Sequence, residues 1–102
     1  MQVKKNPTPT TISGPLLNDP ELRYTPGGHA VGAFTITTAG VPQRCEIWRE
    51  KAEEMAADMS IHFGTVLTVT GTIKAREWEG RDGEKHSADI LTVTSYMIEV
   101  PF

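Results

Sequence analysis

The sequence of 102 residues contains a single cysteine, Cys45, so no disulfide can form within the chain. Small secreted domains are typically held together by several disulfides. A single cysteine therefore does not indicate that the protein works in an oxidising compartment. No apolar run approaches the ~18 residues that a membrane-spanning helix needs. Residues 1–11 are too polar for a secretory signal. We therefore expect a soluble intracellular protein.

Positive charge is also scarce, since 10 Lys and Arg residues stand against 13 Asp and Glu residues, for a formal net charge of −3. A protein held to nucleic acid mainly by bulk charge is expected to be basic. If this protein binds nucleic acid, it must use a local basic patch together with stacking of bases on aromatic side chains. The chain length suits one domain, and 38% apolar content supports only a small core, which favours oligomerisation.

Residue types suited to catalysis or metal binding are scattered along the chain. His29, His62 and His86 lie in different segments without ligand spacing or companion cysteines, so we expect neither a metal nor another cofactor. Cys45 falls on the apolar face of a predicted strand, which indicates a small buried hydrophobe and not a nucleophile. We therefore predict that the protein is not an enzyme.

Most of the chain has the residue pattern of β-structure. β-branched residues and period-two alternation predict five strands. These strands cover residues 10–13, 30–38, 43–48, 66–78 and 86–94, and residues 96–100 extend the last one. Residues 21–24 form a short extended piece between two turn signals, and residues 39–42 turn the chain.

One segment, residues 49–63, predicts a helix because it is rich in Glu, Ala and Met. Its apolar stripe consists of Ala52, Met55, Ala56, Met59 and Phe63. Gly64 then stands where a glycine ends a helix. Five strands with one helix between the third and fourth are the order of an OB fold. We predict an all-β, five-stranded OB-fold barrel over residues 10–102, preceded by an extended arm at residues 1–9.

Both tryptophans are predicted on the polar faces of strands, because side chains alternate along a strand. These faces carry Arg44, Glu46 and Trp48 on one strand, and Lys74, Arg76 and Trp78 on another. A base stacked on an aromatic ring gains about 1–3 kcal/mol, and a neighbouring Arg or Lys can contact the phosphate. The alternative is that Trp48 and Trp78 are half-buried packing residues or lie at a subunit interface.

Residues 19–31, Asp-Pro-Glu-Leu-Arg-Tyr-Thr-Pro-Gly-Gly-His-Ala-Val, resemble the signature of the bacterial single-stranded DNA-binding protein family. Gly14 and Leu16 precede this run in the order that the family shows. A second similar stretch runs from Gly64 through Lys74-Ala75-Arg76-Glu77-Trp78 to Ile90, over the predicted fourth strand, hairpin and fifth strand. The resemblance spans nearly the whole chain.

This resemblance implies an OB fold, sequence-tolerant binding of single-stranded DNA in replication, repair or recombination, and a homo-oligomer, either tetramer or dimer. It also implies a cytoplasmic, nucleoid-associated or organellar location. The nucleic-acid-binding positions that it implies are Arg23, Tyr24, Arg44, Trp48, Lys74, Arg76 and Trp78. Of these, Trp48 and Trp78 fall on stacking positions, and Arg44, Lys74 and Arg76 fall on basic positions along the path of the strand.

The sequence departs from the family at several positions. Pro42 replaces a tryptophan, and the turn at residues 39–42 is short, so two stacking platforms are missing and affinity per protomer should be lower. Val100-Pro101-Phe102 resembles the partner-binding tip of the family, but without an acidic run we treat it as coincidence. The net charge and Pro42 favour an alternative, an OB-fold accessory protein of the primosome type with weak or no DNA binding.

Overall fold

The computed structural model describes residues 9–99, which form one sheet of six strands and one helix. The strands are β1 (Thr10–Pro15), β2 (Glu21–Tyr24), β3 (Ala30–Thr38), β4 (Val41–Trp48), β5 (Val66–Glu79) and β6 (Lys85–Ile98), and the helix is α1 (Glu50–Ala57). Of the predicted arm, residues 1–8 lie outside the described residues, as does Val100-Pro101-Phe102. No helix within residues 9–99 is long and apolar enough to cross a membrane.

The order of strands in the sheet is β1-β5-β6-β4-β3-β2. All neighbouring strands are antiparallel except β4 and β6, which run parallel from Arg44 opposite Ile90. A parallel pair needs a crossover connection, which α1 and β5 provide here. At the end of β1, Leu16 bridges to Ile36 of β3, so the sheet curves towards closure without a continuous ladder. This partly open arrangement is the predicted OB fold.

Two details of the strands differ from the prediction. The extended piece Glu21–Tyr24 is a sixth strand, paired with β3 at the end of the sheet. The turn between β3 and β4 is tighter than expected, because only Ala39 and Gly40 leave the ladder, with φ of 51° and 80°. Two successive residues with positive φ suit a two-residue hairpin. Pro42 therefore lies inside β4, opposite Thr37, and not in the turn.

The core lies between the inner face of the sheet and α1. Its fully buried side chains include Leu16, Phe34, Ile36, Cys45, Ile47, Met55, Leu67, Val69 and Leu91. The placement of Cys45 and Ile47 on the core face is thus confirmed. Gly32 lets α1 approach β3 closely, because a Cβ at this position would come within 3.1 Å of the Ile47 side chain and 3.7 Å of the Ala52 Cβ.

The helix ends at Ala57, six residues before the predicted end at Phe63. The Asp58 carboxylate accepts hydrogen bonds from the Ser60 N–H at 3.0 Å and the Ser60 hydroxyl at 2.6 Å. Such local side-chain bonds compete with the backbone bonds of a helix. The same two bonds lower the pKa of Asp58. They explain why a sequence with good helix propensity leaves the helix at this point.

The predicted apolar stripe was wrong beyond its first turn. Ala52 and Met55 are buried, whereas Ala56 is exposed, and Met59 and Phe63 are 92% and 65% exposed. Gly64, with φ of 90°, belongs to the turn before β5 and not to the end of the helix.

Beyond the core, β5 and β6 continue as a two-stranded ribbon whose residues are mostly exposed. The single irregularity in their ladder falls on β6, since Thr70 pairs with Ser95 and Gly71 pairs with Val93, leaving Thr94 as the extra residue. The alternation of side chains along β5 is therefore uninterrupted. This continuity keeps Lys74, Arg76 and Trp78 on one face, as the sequence pattern predicted.

Candidate nucleic-acid interface

The polar face of the sheet contains two adjoining depressions, which together we name the polar groove. The larger depression has a volume of about 330 Å³ and is lined by Arg23, Arg44, Glu46, Arg76, Trp78, Ala88 and Ile90. The smaller one has a volume of about 240 Å³ and is lined by Arg23, Tyr24, Thr25, Val31, Glu46, Trp48 and Arg76. Arg23, Glu46 and Arg76 border both depressions, so six of the seven predicted binding residues line one continuous groove.

Lys74, the seventh predicted residue, is placed by the register of the sheet. It lies opposite Ile90 of β6, and Ile90 lies opposite Arg44 of β4. Residues directly opposite each other across a ladder share a face of the sheet. Lys74 is therefore in the same cross-strand row as Arg44, at the edge of the polar groove, and its side chain is exposed.

The two tryptophans occupy different parts of the polar groove. Trp78 is 48% exposed, and its ring stacks on His86, with centroids 5.7 Å apart and an interplanar angle of 25°. Trp48 is half-buried at the end of β4, opposite Val31, which is itself opposite Arg23. Each ring lies in a depression that also contains arginine side chains, which is the arrangement that the sequence pattern predicted.

Glu46 lies on the polar face, as predicted, but it is not exposed there. Only 4% of the residue is accessible, and among residues 9–99 it is the one charged residue in the buried class. The Arg76 Nη1 and Nη2 atoms each donate to one Glu46 carboxylate oxygen, both at 2.7 Å. A buried carboxylate needs such a partner, because desolvation of an unpaired charge is costly. The sequence pattern did not indicate this pairing.

Tyr24 contacts both the polar groove and the helix. Its hydroxyl donates to the Glu53 Oε2 atom of α1 at 2.9 Å. This hydrogen bond and the negative charge of Glu53 raise the pKa of Tyr24. Tyr24 is 58% exposed and lines the smaller depression. Tyr24 thus connects β2 to α1 and contributes to the wall of the groove.

Arg49 is a feature that sequence reasoning missed. It follows Trp48 directly and has a φ of 64° and a ψ of −134°, a backbone conformation that residues with a Cβ rarely adopt. Its N–H donates to the Ala30 carbonyl oxygen at 2.8 Å, which helps to hold this geometry. The side chain lines a neighbouring depression with Tyr24 and Glu53. No residue type or spacing signals this conformation in the sequence.

Other chemistry-bearing groups are separate from the polar groove. Within residues 9–99, no three His, Cys, Asp or Glu residues are grouped so that they could hold a metal ion. Burial raises the pKa of the Cys45 thiol to about 12, so the thiol is neutral at physiological pH. A neutral, buried thiol is a poor nucleophile.

The fold and the groove together define an OB-fold protein with an exposed, arginine-lined face. The single-strand binding protein family matches the chain over residues 8–98. This protein therefore belongs to the single-strand binding protein family, as its motifs predicted.

Individual relatives agree with this assignment. The "Single-stranded DNA-binding protein" of Mycolicibacterium smegmatis is 40% identical over 97 residues, covering 78% of this chain and 56% of the relative. The protein of the same name from Paenarthrobacter aurescens is 38% identical, covering 84% and 58%. "Single-stranded DNA-binding protein 2" of Streptomyces coelicolor is 34% identical, covering 84% and 50%. The chain thus spans about half the length of these relatives.

Proposed function

We propose that this protein binds single-stranded DNA without strong sequence preference, and that it acts as a binding protein and not as an enzyme. The observation that carries this proposal is that Trp78 lies in one groove with three arginines, Arg23, Arg44 and Arg76. Exposed aromatics beside guanidinium groups suit the stacked bases and phosphates of a single strand. Relatives that are named for single-stranded DNA binding support the same proposal.

Each predicted residue has a proposed role. Trp48 and Trp78 provide stacking platforms, while Arg23, Arg44 and Lys74 contact phosphates along the strand. Arg76 belongs to this basic set, although Glu46 pairs with it in the free protein. Tyr24 shapes the smaller depression, which also contains Trp48, because a hydrogen bond to α1 holds its hydroxyl in place.

We further propose that the protein acts as a homo-oligomer, either a dimer or a tetramer. Two stacked bases contribute about 2–6 kcal/mol per protomer, whereas micromolar affinity requires about 8.2 kcal/mol. Several protomers on one strand gain avidity of about 10²-fold or more without any new contact. Within the described part of the chain, β1 and β2 end the sheet, and such strands offer backbone groups for pairing between subunits.

The experiment that tests DNA binding is tryptophan fluorescence during titration with oligo-dT at low and high salt, with duplex DNA as the control. We expect quenching by the single strand only, and weaker binding at high salt. Trp78→Ala should lower the affinity about 5- to 150-fold, the equivalent of one lost stack. Phe63→Ala is the matched control, because Phe63 is an exposed aromatic outside the polar groove. No binding by the folded protein at low salt would reject the proposal.

A second candidate is an OB-fold accessory protein of the primosome type, with weak or no DNA binding. The observation that favours it is the Arg76–Glu46 pair, which neutralises one of the three arginines in the polar groove. The net charge of −3 also favours this candidate, because a negative protein is repelled by DNA phosphates. Under this alternative, Trp48 and Trp78 would contact a protein partner, and oligo-dT would leave the tryptophan fluorescence unchanged.

The wider setting follows from the proposed binding. We propose that residues 10–102 act as one OB-fold domain in replication, repair or recombination. The corresponding location is the cytoplasm, in association with the nucleoid, or an organelle. Co-localisation of a tagged chain with DNA in the cell would test this part of the proposal.

A further inference from the structure

A carboxylate lies among the arginines of the polar groove. Arg23, Arg44 and Arg76 line the larger depression together with Glu46, and Glu46 also borders the smaller depression beside Trp48. Within residues 9–99, Arg76 is the arginine that bonds Glu46. A negative charge therefore occupies the floor of the groove in which we propose that DNA phosphates bind.

The geometry of this pair is the geometry that a phosphate would use. Both terminal nitrogens of Arg76 donate to the two oxygens of Glu46 at 2.7 Å. Arginine binds carboxylates and phosphates with the same planar, two-pronged edge. While Glu46 holds this edge, a phosphate can reach only the remaining N–H groups of a guanidinium whose charge is already neutralised.

The two partners differ in their exposure to solvent. The Arg76 side chain is 51% exposed, whereas the Glu46 side chain is 6% exposed. Arg76 is on the solvent side of the pair and can turn towards an incoming strand. Glu46 is held in the interior of the sheet, because its strand, β4, is paired with β3 on one side and with β6 on the other.

We propose that Glu46 is a built-in competitor for DNA phosphate at Arg76, which lowers the affinity of the polar groove for single strands. This inference rests on the proposed function. In the free protein, Glu46 offsets the mutual repulsion of the three arginines. On binding, a phosphate must replace the Glu46 carboxylate at Arg76 or leave that arginine unused.

The test is Glu46→Gln, which removes the charge and keeps the size of the side chain. We expect about three- to tenfold tighter binding of oligo-dT at low salt, because a charge-assisted contact becomes available. The plot of log affinity against log salt should become steeper by about 0.7, the value for one additional neutralised phosphate of a single strand. Circular dichroism and urea unfolding would verify that the variant is folded.

Two further variants separate a local effect from a change in net charge. Glu54→Gln makes the same change in charge on α1, outside the polar groove, and should leave the salt slope unchanged. Adding Arg76→Gln to Glu46→Gln should return the slope to the wild-type value, because the freed arginine is then absent.

Each outcome bears on the inference. Tighter binding and a steeper slope for Glu46→Gln than for the wild-type protein support it. Equal or weaker binding by a folded Glu46→Gln variant overturns the inference, while wild-type binding with fluorescence quenching keeps the proposed function. If neither protein binds oligo-dT, both the inference and the proposed function are rejected.

Discussion

The Arg76 guanidinium on β5 reaches across β6 to the Glu46 carboxylate on β4, with both of its terminal nitrogens 2.7 Å from carboxylate oxygens. The pair therefore links β5 to β4 across the intervening strand β6, at the base of the exposed β5–β6 ribbon. It also places the one charged residue that is buried within residues 9–99 in the proposed DNA groove. The same contact therefore belongs both to the packing of the sheet and to the proposed binding surface.

We expect Arg76→Met to lower the free energy of unfolding by about 1–3 kcal/mol. Removal of one partner of a buried pair costs about 3–5 kcal/mol, and the half-exposed Arg76 reduces this value because water can reach Glu46 in the variant. Urea unfolding would measure the loss. Lys74→Met is the matched control, since it removes the same charge from the same strand and, in the described residues, Lys74 forms no ion pair. A larger loss in the control would contradict this account.

Adding Glu46→Gln to Arg76→Met should recover much of the lost stability, because no unpaired charge then remains buried. The coupling between the two substitutions, measured as a double-mutant cycle, should exceed about 0.5 kcal/mol. If the changes in unfolding free energy caused by the two single substitutions simply add up in the double variant, the contact between the two side chains does not stabilise the protein.

Cys45 should make stability depend on pH in the alkaline range. The thiol of the unfolded chain ionises with an ordinary pKa of 9.0, whereas burial raises the pKa to about 12 in the folded protein. Between these values the unfolded state binds fewer protons, so stability falls as pH rises, by up to about 1.4 kcal/mol per pH unit. Below pH 9 this contribution is fully present. The difference in unfolding free energy between wild type and Cys45→Ala, followed from pH 8 to 10.5, isolates it.

A parallel measurement uses the reactivity of the same thiol. Cys45 is fully buried, so a thiol reagent at pH 8 should label the folded protein slowly and the urea-unfolded protein at once. Rapid labelling of the folded protein would mean that the core around Cys45 opens readily.

Gly71→Ala should lower the unfolding free energy by about 2 kcal/mol or more. A Cβ at this position would lie 1.9 Å from the Thr92 carbonyl oxygen and 2.9 Å from the Val93 Cα. Both are backbone atoms of the paired strand, so the overlap can be relieved only by distorting the ladder. Gly27→Ala is the control, because the nearest atom to its Cβ is 3.5 Å away. Thermal unfolding of both variants would decide, and equal melting temperatures would contradict the prediction.

Arg49→Gly should leave stability unchanged or raise the unfolding free energy by up to about 1 kcal/mol. Glycine removes the strain of a positive φ, worth about 1–2 kcal/mol, but it loses more backbone entropy on folding. Arg49→Ala removes the same side chain and retains the strain, so it should be less stable than Arg49→Gly. Urea unfolding of the two variants tests this order. If Arg49→Ala is more stable than Arg49→Gly, the positive φ at this position does not strain the backbone appreciably.

Much of the polar groove was predictable because the alternation of side chains is a local property of a strand. The period-two pattern placed Cys45 and Ile47 in the core and put Trp48 and Trp78 on the opposite face. The OB-fold order followed from the succession of strand and helix patterns. The helix was predicted too long, since composition favours a helix throughout residues 49–63, while the side-chain bonds of Asp58 to Ser60 end it early.

The sequence by itself determined five of the six strands, the faces on which the side chains of β4 and β5 lie, and the family of the protein, because these depend on residue pattern and short motifs. Only the tertiary structure decided that Glu46 pairs with Arg76, residues 30 apart on strands separated by β6. It also decided that the hydroxyl of Tyr24 bonds α1. Such contacts depend on sheet order, curvature and side-chain reach, which emerge only when distant segments pack together.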